Sequence, residues 1–115
     1  MPVRSMTRRI LTGGLVALAL AGPALAQSIS GSYRAEGRNP DGTAYSGTVQ
    51  ITERGGAVAM TWSIAGQSYQ GTGERNGDVI IVNWGDTYPV VYVRMPSGEL
   101  HGTWANGAAL ERLIP

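Results

Sequence analysis

The stretch that decides the fold class is residues 44–64, AYSGTVQITERGGAVAMTWSI. On both sides of its central Gly55-Gly56 pair, apolar residues or glycine recur at every second position: Tyr45, Gly47, Val49, Ile51, Val58, Met60, Trp62 and Ile64. Successive side chains of a strand point to opposite faces, so this period indicates two strands with one buried face each. The glycine pair between them is typical of a tight hairpin turn.

Similar turn-forming pairs recur along the rest of the chain. Turn-forming pairs lie 9 to 14 residues apart, at Asp41-Gly42, Gly55-Gly56, Ala65-Gly66, Asn76-Gly77, Gly85-Asp86, Ser97-Gly98 and Asn106-Gly107. Seven turns at this spacing predict eight short strands, and no segment shows a helical period. We therefore expect an all-β fold, a single small eight-stranded antiparallel up-and-down barrel. A two-sheet sandwich of the same strands is the alternative.

Glycines and aromatic residues are paired in a way that favours the barrel. A glycine lies two residues from a ring in Gly31/Tyr33, Tyr45/Gly47, Tyr69/Gly71 and Gly102/Trp104. Residues at this spacing share a face, so we expect each ring to lean over the glycine of its own strand. Glycine also lets a strand coil sharply enough to close a small sheet. The rings of Tyr33, Tyr45, Trp62 and Tyr69 are then expected to fill a sealed interior.

The first 26 residues have the composition of an export signal. Arg4, Arg8 and Arg9 precede an apolar run of about a dozen residues, which is shorter than the roughly 20 that a transmembrane helix needs. Ala24-Leu25-Ala26 then offers a small-x-small cleavage site. We predict a signal peptide over 1–26, a β-barrel domain over 27–115 without a membrane span, and a periplasmic or secreted location. The Arg8-Arg9 pair leaves both the Sec and the twin-arginine route open.

Composition excludes several classes of function. The chain has no cysteine, which excludes disulfides, thiolate metal sites and a cysteine nucleophile. Of nine basic residues three lie in the leader, so six face eight carboxylates and the domain carries a net charge near −2. This balance argues against a nucleic-acid-binding surface.

Catalytic and metal-binding patterns are missing from the sequence. His101 is the single histidine, and strand alternation places it outward beside Glu99, without further ligands. We expect rim ion pairs between the neighbours Glu53-Arg54 and Glu74-Arg75. Glu111 shares a face with Leu113, so it points inward if Leu113 does, and a buried carboxylate needs an arginine or a cluster of donors. We predict no cofactor, no metal and no enzymatic activity, with a carboxylate-dependent hydrolase as the remaining catalytic alternative.

One end of the predicted barrel is richer in aromatic residues than the other. Successive turns of a meander alternate ends, so the loops at 38–43, 65–67, 85–88 and 105–108 gather together. The candidate binding residues there are Trp84, Tyr88, Trp104, Arg38 and Asp86. Aromatic and arginine side chains on a loop-built rim are typical of recognition surfaces. In the alternative interpretation, Trp84 and Trp104 simply plug the barrel mouth.

Several motifs also carry a family resemblance. They are Gly31-x-Tyr33, Asn39-Pro40-Asp41-Gly42-x-x-Tyr45-x-Gly47-x-Val49-x-Ile51, Trp62, Tyr69-x-Gly71-x-Gly73, Gly98-x-Leu100-x-Gly102-x-Trp104 and Glu111-x-Leu113. Together they resemble a family of short exported proteins of Gram-negative bacteria, some of which are labelled fibronectin-binding. The meander is also similar, more distantly, to avidin and lipocalin barrels.

Three hypotheses of function follow from the sequence. The first is an exported, non-catalytic binding module that uses its aromatic end to capture a protein or glycan, with a fibronectin-type matrix partner implied by the resemblance. The second is a carrier that holds a small apolar ligand in the barrel interior. The third is the hydrolase. The sequence leaves the partner and the oligomeric state open.

Overall fold

The computed structural model describes residues 27–115, and the predicted export signal lies outside them. These residues form eight antiparallel strands in a single closed barrel. The strands are β1 (Gly31–Arg38), β2 (Ala44–Arg54), β3 (Ala57–Ile64), β4 (Gln67–Asn76), β5 (Val79–Asn83), β6 (Val90–Arg94), β7 (Leu100–Trp104) and β8 (Ala109–Ile114). The seven predicted turns fall at the seven connections between them. The prediction of an all-β up-and-down barrel is confirmed.

Each strand pairs with its neighbour in sequence, and the last strand returns to the first. β1 pairs with β8 from Arg34↔Ile114 to Arg38↔Leu110, which closes the sheet. Closure removes free sheet edges, and it distinguishes this barrel from the alternative two-sheet sandwich. Among residues 27–115 there is no helix that would be long and apolar enough to cross a bilayer.

The core lies inside the barrel and follows the alternation in the sequence. Val49, Ile51, Val58, Met60 and Trp62 are buried, as the period of two predicts. Strands β5 and β6 are apolar at consecutive positions, so the sequence does not show which of their residues point inward. In the structure they contribute Ile80, Val82, Val90 and Tyr92 to the core. Of the rings predicted in the core, Tyr33 and Trp62 are buried, and Tyr45 is half-buried. The prediction for Tyr69 is wrong, because its side chain lies at the open end of the barrel and is 38% exposed.

Rings and glycines do pair, but across strands and not along them. Tyr45 lies directly opposite Gly37 in the β1–β2 ladder, and Tyr92 lies opposite Gly102 in the β6–β7 ladder. A Cβ at Gly37 would overlap the Tyr45 ring, and a Cβ at Gly102 would lie 2.5 Å from Cδ1 of Tyr92. The ring therefore occupies the space that the partner strand's side chain would need. The predicted pairing within one strand is corrected to this cross-strand arrangement.

The N-terminal segment closes one end of the barrel. Ile29 is 2% exposed, and its carbonyl accepts a 2.7 Å hydrogen bond from the Tyr33 hydroxyl. Its N–H donates to Glu53 at 3.0 Å, and Arg75 Nη1 donates to the same carboxylate at 2.9 Å. Glu53 thus pairs across the barrel end with Arg75, and the predicted Glu53-Arg54 neighbour pair is wrong. Adjacent residues of a strand point to opposite faces, which keeps their charges apart.

The charge on Glu53 should make stability depend on pH. Burial alone would raise the pKa of Glu53, but the Ile29 N–H and the Arg75 guanidinium outweigh it, so the pKa lies below its usual 4.5. A depressed carboxylate pKa stabilises the fold above the unfolded value, and this stabilisation is lost as pH falls through the folded value. We expect Glu53→Gln to lower the free energy of unfolding at pH 6 by about 1–2 kcal/mol.

Denaturant titrations at pH 6 and pH 3 check this expectation. The wild type should lose more stability between the two values than Glu53→Gln does. Glu36→Gln is the matched control, since Glu36 forms exposed pairs with Arg34 and Arg112, and it should change stability at pH 6 less than Glu53→Gln does. Equal pH dependence in wild type and Glu53→Gln would contradict the assignment.

Candidate functional site

The aromatic rings gather at the end of the barrel opposite Ile29. Trp84 packs edge-to-face against Tyr69 on one side and Trp104 on the other, with ring centroids 6.3 and 5.8 Å apart. Trp104 also contacts Tyr45 edge-to-face, at 6.2 Å. Edge-to-face pairs are a favoured geometry of aromatic contact. The result is a continuous arc of four rings at this end, which we call the mouth.

The mouth rings surround a pocket. Its volume is about 320 Å³, and its lining residues are Asn39, Tyr45, Trp62, Ile64, Ala65, Tyr69, Trp84, Val90, Trp104 and Glu111. The expectation of a sealed interior is therefore wrong at this end. Trp84 and Trp104 form part of the pocket wall and also pack against the buried core. The barrel is a cup, closed by Ile29 at its base.

The other three predicted site residues lie outside the pocket lining. The side chain of Tyr88 is 45% exposed, and its carbonyl accepts a 3.2 Å hydrogen bond from Trp84 Nε1. Arg38, the last residue of β1, is exposed and donates to the carbonyl of Gly42 in the following loop at 3.0 Å. Asp86 is exposed in the β5–β6 loop. The structure thus brings Trp84 and Trp104 together and leaves Tyr88, Arg38 and Asp86 on the outer rim.

A carboxylate lies at the floor of the pocket. Glu111 is only 5% exposed, which confirms that it points inward with Leu113. Its Oε1 accepts a 2.8 Å hydrogen bond from the Tyr45 hydroxyl. Its Oε2 accepts one from Trp62 Nε1 at 3.0 Å and a short one from the Tyr92 hydroxyl. The donors are neutral, so the hydrogen bonds to this carboxylate come from a donor cluster and not from an arginine.

The hydrogen-bonded cluster continues to the mouth. Trp104 Nε1 donates to the Tyr45 hydroxyl at 3.0 Å, so a chain of polar contacts runs from Trp104 through Tyr45 to Glu111. Burial raises the pKa of the Tyr92 and Tyr45 hydroxyls, and the negative charge of Glu111 raises both further. Both tyrosines therefore stay protonated and act as donors throughout the physiological range.

The backbone of the mouth loops is unusual as well. The non-glycine residues with positive φ among residues 27–115 are Ala65, at 53°, and the neighbours Ala105 and Asn106, at 52° and 56°. All three lie in loops of the open end. The left-handed conformation costs an alanine about 1–2 kcal/mol. Strain of this kind is found where the surrounding structure maintains a particular loop geometry, often at ligand sites.

The single histidine lies on the outer wall. His101 points outward, as predicted, and its Nε2 lies 2.8 Å from Glu99 Oε1. In the described part of the chain, no group of three or more histidines, aspartates or glutamates is placed to hold a metal ion. Over the same residues, Glu111 is the one carboxylate in the pocket lining.

Several pocket residues were not among the predicted site residues. Tyr45, Trp62 and Tyr69 line the pocket, but their inward position in the sequence indicated only core packing. Tyr92 donates a hydrogen bond from its hydroxyl to Glu111. It lies in the apolar strand VVYVR, and the sequence does not show which residues of this strand point inward. The one available signal was Glu111, because an inward carboxylate implies that hydroxyl or N–H donors converge on it.

The fold and site together define a small closed antiparallel β-barrel with a pocket at one end. No family model matches the chain, and no curated protein matches it, so the family suggested by its motifs stays a prediction. The chain is similar in structure to a redesigned β-barrel, with a TM-score of 0.54 and 14% sequence identity over 76% of this chain and 90% of that one. At this identity the likeness concerns the fold alone.

Removing one donor from Glu111 should show how much the cluster contributes. Tyr92→Phe keeps the ring over Gly102 but deprives a buried carboxylate of a hydrogen bond, and we expect it to lower the free energy of unfolding by about 1.5–3 kcal/mol. Tyr33→Phe is the matched control, since its buried hydroxyl donates to the neutral Ile29 carbonyl and is worth about 1 kcal/mol. Urea titration measures both. Equal losses would mean that Glu111 draws no special stabilisation from Tyr92.

Proposed function

We propose that this protein binds a small organic molecule in the pocket at the mouth of its barrel. The observation that carries the proposal is the pocket of about 320 Å³ with five aromatic side chains and one buried carboxylate in its lining. Small-molecule sites are concave, mostly apolar and oriented by a few polar groups, and they begin at about 300 Å³. Eight-stranded barrels are wide enough to hold one small ligand.

The direction of the aromatic side chains favours this carrier function over capture of a protein or glycan surface. Trp84 and Trp104 contribute to the pocket wall, and both pack against the buried core. A flat partner surface would find Tyr69 and Tyr88, together with the exposed Arg38 and Asp86. Central, well-packed anchors dominate protein interfaces, and two exposed tyrosines at the edge of a pocket offer little of this kind. We therefore place the surface-binding module second and the hydrolase third.

The proposed ligand site has a built-in reporter. All three tryptophans of the chain, Trp62, Trp84 and Trp104, line the pocket. A ligand that enters must change the surroundings of at least one indole ring. Intrinsic tryptophan emission should therefore shift on binding, and a panel of neutral and charged small molecules can be ranked by this signal.

Filling the pocket should abolish binding. Val90 is 5% exposed and lines the pocket, so Val90→Phe places a ring in the space that the ligand needs. We expect affinity for N-phenyl-1-naphthylamine, a neutral fluorescent probe, to fall at least about tenfold, which corresponds to about 1.4 kcal/mol. Val93→Phe is the matched control, because it makes the same change on the outer face of the same strand, at a side chain that is 45% exposed.

Circular dichroism establishes that both variants remain folded. Unchanged affinity in a folded Val90→Phe barrel would exclude the pocket as the binding site. A wild type that binds neither this probe nor any molecule of the panel would refute the proposed function itself. Equal losses in Val90→Phe and Val93→Phe would show that the effect comes from general destabilisation, which also argues against the pocket.

If the proposal is correct, residues of the rim and residues of the pocket contribute differently to ligand affinity. Tyr88→Ala removes an exposed ring outside the pocket lining and should leave probe affinity within about twofold, a change below 0.5 kcal/mol. Trp84→Leu removes a pocket wall and should weaken binding about tenfold or more. Titration of the two purified variants checks this order. The reverse order, with Tyr88 dominant, would return the surface-binding module to first place.

Export belongs to the proposal as well. We infer from the signal-like residues 1–26 that the barrel works in the periplasm or outside the cell. The fibronectin-type partner rests on the family resemblance and on no contact within the barrel. Fractionation of cells that express the full chain, followed by N-terminal sequencing of the processed form, tests both the compartment and the predicted start at Gln27.

A further inference from the structure

We propose that the ligand class of the pocket is a small organic cation, with a substituted ammonium group at its recognised end. The inference rests on the proposed function and specifies its chemistry. It comes from two features that coincide in one pocket: a buried carboxylate without a cationic partner, and a wall of aromatic rings around it.

The first feature concerns charge. Glu111 accepts hydrogen bonds from two hydroxyls and one indole N–H, and none of these donors is charged. The chain has no lysine, and no arginine lines the mouth pocket; Arg38 and Arg112 line an outer cleft that also includes Glu111, but neither forms an ion pair with it. The arginines that contact carboxylates in residues 27–115 do so elsewhere, Arg75 with Glu53 and Arg34 and Arg112 with Glu36. The negative charge of Glu111 is thus left without a counter-ion inside the cup.

The acceptor capacity of the carboxylate is also incomplete. Oε2 accepts two hydrogen bonds, from Trp62 and Tyr92, whereas Oε1 accepts one, from Tyr45. A carboxylate oxygen has two lone pairs, so Oε1 retains one. Glu111 contributes to the lining of the pocket, so a ligand that enters the pocket comes close to this carboxylate. A protonated amine can donate to it, and a quaternary ammonium can lie against it electrostatically.

The second feature concerns the wall. Tyr45, Trp62, Tyr69, Trp84 and Trp104 all line the pocket. The face of an aromatic ring is negative, and tryptophan attracts cations most strongly. Several rings around one cavity form the arrangement that proteins use to recognise substituted ammonium groups. Ring faces and carboxylate have the same sign, so they favour a cation together and disfavour an anion.

Neutral ligands lack the attraction that this pocket provides. An uncharged apolar molecule would gain from contact with the rings, but it would leave Glu111 without a counter-ion in a largely buried site. An anion would add repulsion from Glu111. Charge complementarity therefore separates the three classes of ligand by affinity, even where their shapes are identical.

The test compares two molecules of the same shape. Choline carries a trimethylammonium group, and 3,3-dimethylbutan-1-ol replaces its nitrogen by carbon. We expect calorimetric titration of the purified barrel to show choline binding at least about tenfold more tightly, a difference of about 1.4 kcal/mol that comes mainly from the charge of Glu111 and in smaller part from cation–π contacts with the rings. Benzyltrimethylammonium, which fills more of the pocket, should bind more tightly than choline.

Two changes to the protein then separate the contribution of the Glu111 charge to cation affinity from that of the aromatic rings. Glu111→Gln keeps the shape of the side chain but removes its charge, and it should reduce the preference for choline to about twofold or less, while the neutral alcohol binds as before. Replacing all three tryptophans by fluorinated analogues leaves Glu111 intact and withdraws electron density from the ring faces. The affinity for the cations should then fall stepwise with each added fluorine. This second series also keeps the inference testable if Glu111→Gln does not fold.

The outcomes distinguish this inference from the function on which it rests. Equal affinity for choline and the alcohol, or a cation affinity that fluorination does not change, would overturn the cation class and leave a neutral-ligand pocket in place. Binding of N-phenyl-1-naphthylamine without binding of either ammonium ion would do the same. If neither the ammonium ions nor the neutral probe binds, the proposed function fails first. A preference for choline that Glu111→Gln removes and fluorination reduces would support the inference.

Discussion

The structure depends on one buried carboxylate and the donors that it requires. A charge inside a small barrel is tolerated only where hydrogen bonds replace water. Glu111 on β8 obtains them from Tyr45 on β2, Trp62 on β3 and Tyr92 on β6. Four strands are therefore connected across the lumen by side chains, in addition to the backbone ladder around the wall. Because each donor must reach a fixed point, the register of these strands and the direction of their rings are specified together.

This requirement explains why the two ends of the barrel differ. At the base, Ile29 fills the lumen, and the charges of Glu53 and Arg75 meet outside the apolar core. At the mouth, the pocket that Glu111 helps to line is bounded by large rings that pack edge-to-face against each other. Side chains that point along a wall leave the centre free, whereas a side chain such as Ile29 that points into the lumen closes it. The cup shape thus follows from where the chain places its inward groups.

Local features of the sequence predicted the fold, whereas the contacts between distant strands that build the site could not be predicted from it. The strands and their turns were readable, and so were the inward faces of the alternating strands, because alternation and glycine pairs act over a few residues. Glu111 was expected to point inward if Leu113 does, and both are buried. Its donors could not be identified, because they come from strands brought close by barrel closure and register. The same reason accounts for the errors: Glu53 finds Arg75 across the end, and Tyr45 finds Gly37 across a ladder. Both contacts join residues of different strands, and a local sequence pattern does not show which residues of other strands lie opposite.

A purely structural role accounts for only part of the polar cluster. Tyr92 and Trp62 are buried, and they suffice to bind one oxygen of Glu111 within the core. Tyr45 and Trp104 are only half-buried, yet they extend the hydrogen-bonded chain to the mouth, where they form part of the pocket wall. Apolar residues of similar volume in place of buried ions are often neutral or stabilising. A barrel that needed only stability would therefore gain nothing from a carboxylate below an aromatic opening. The arrangement is explained if the charge acts on a molecule that enters there.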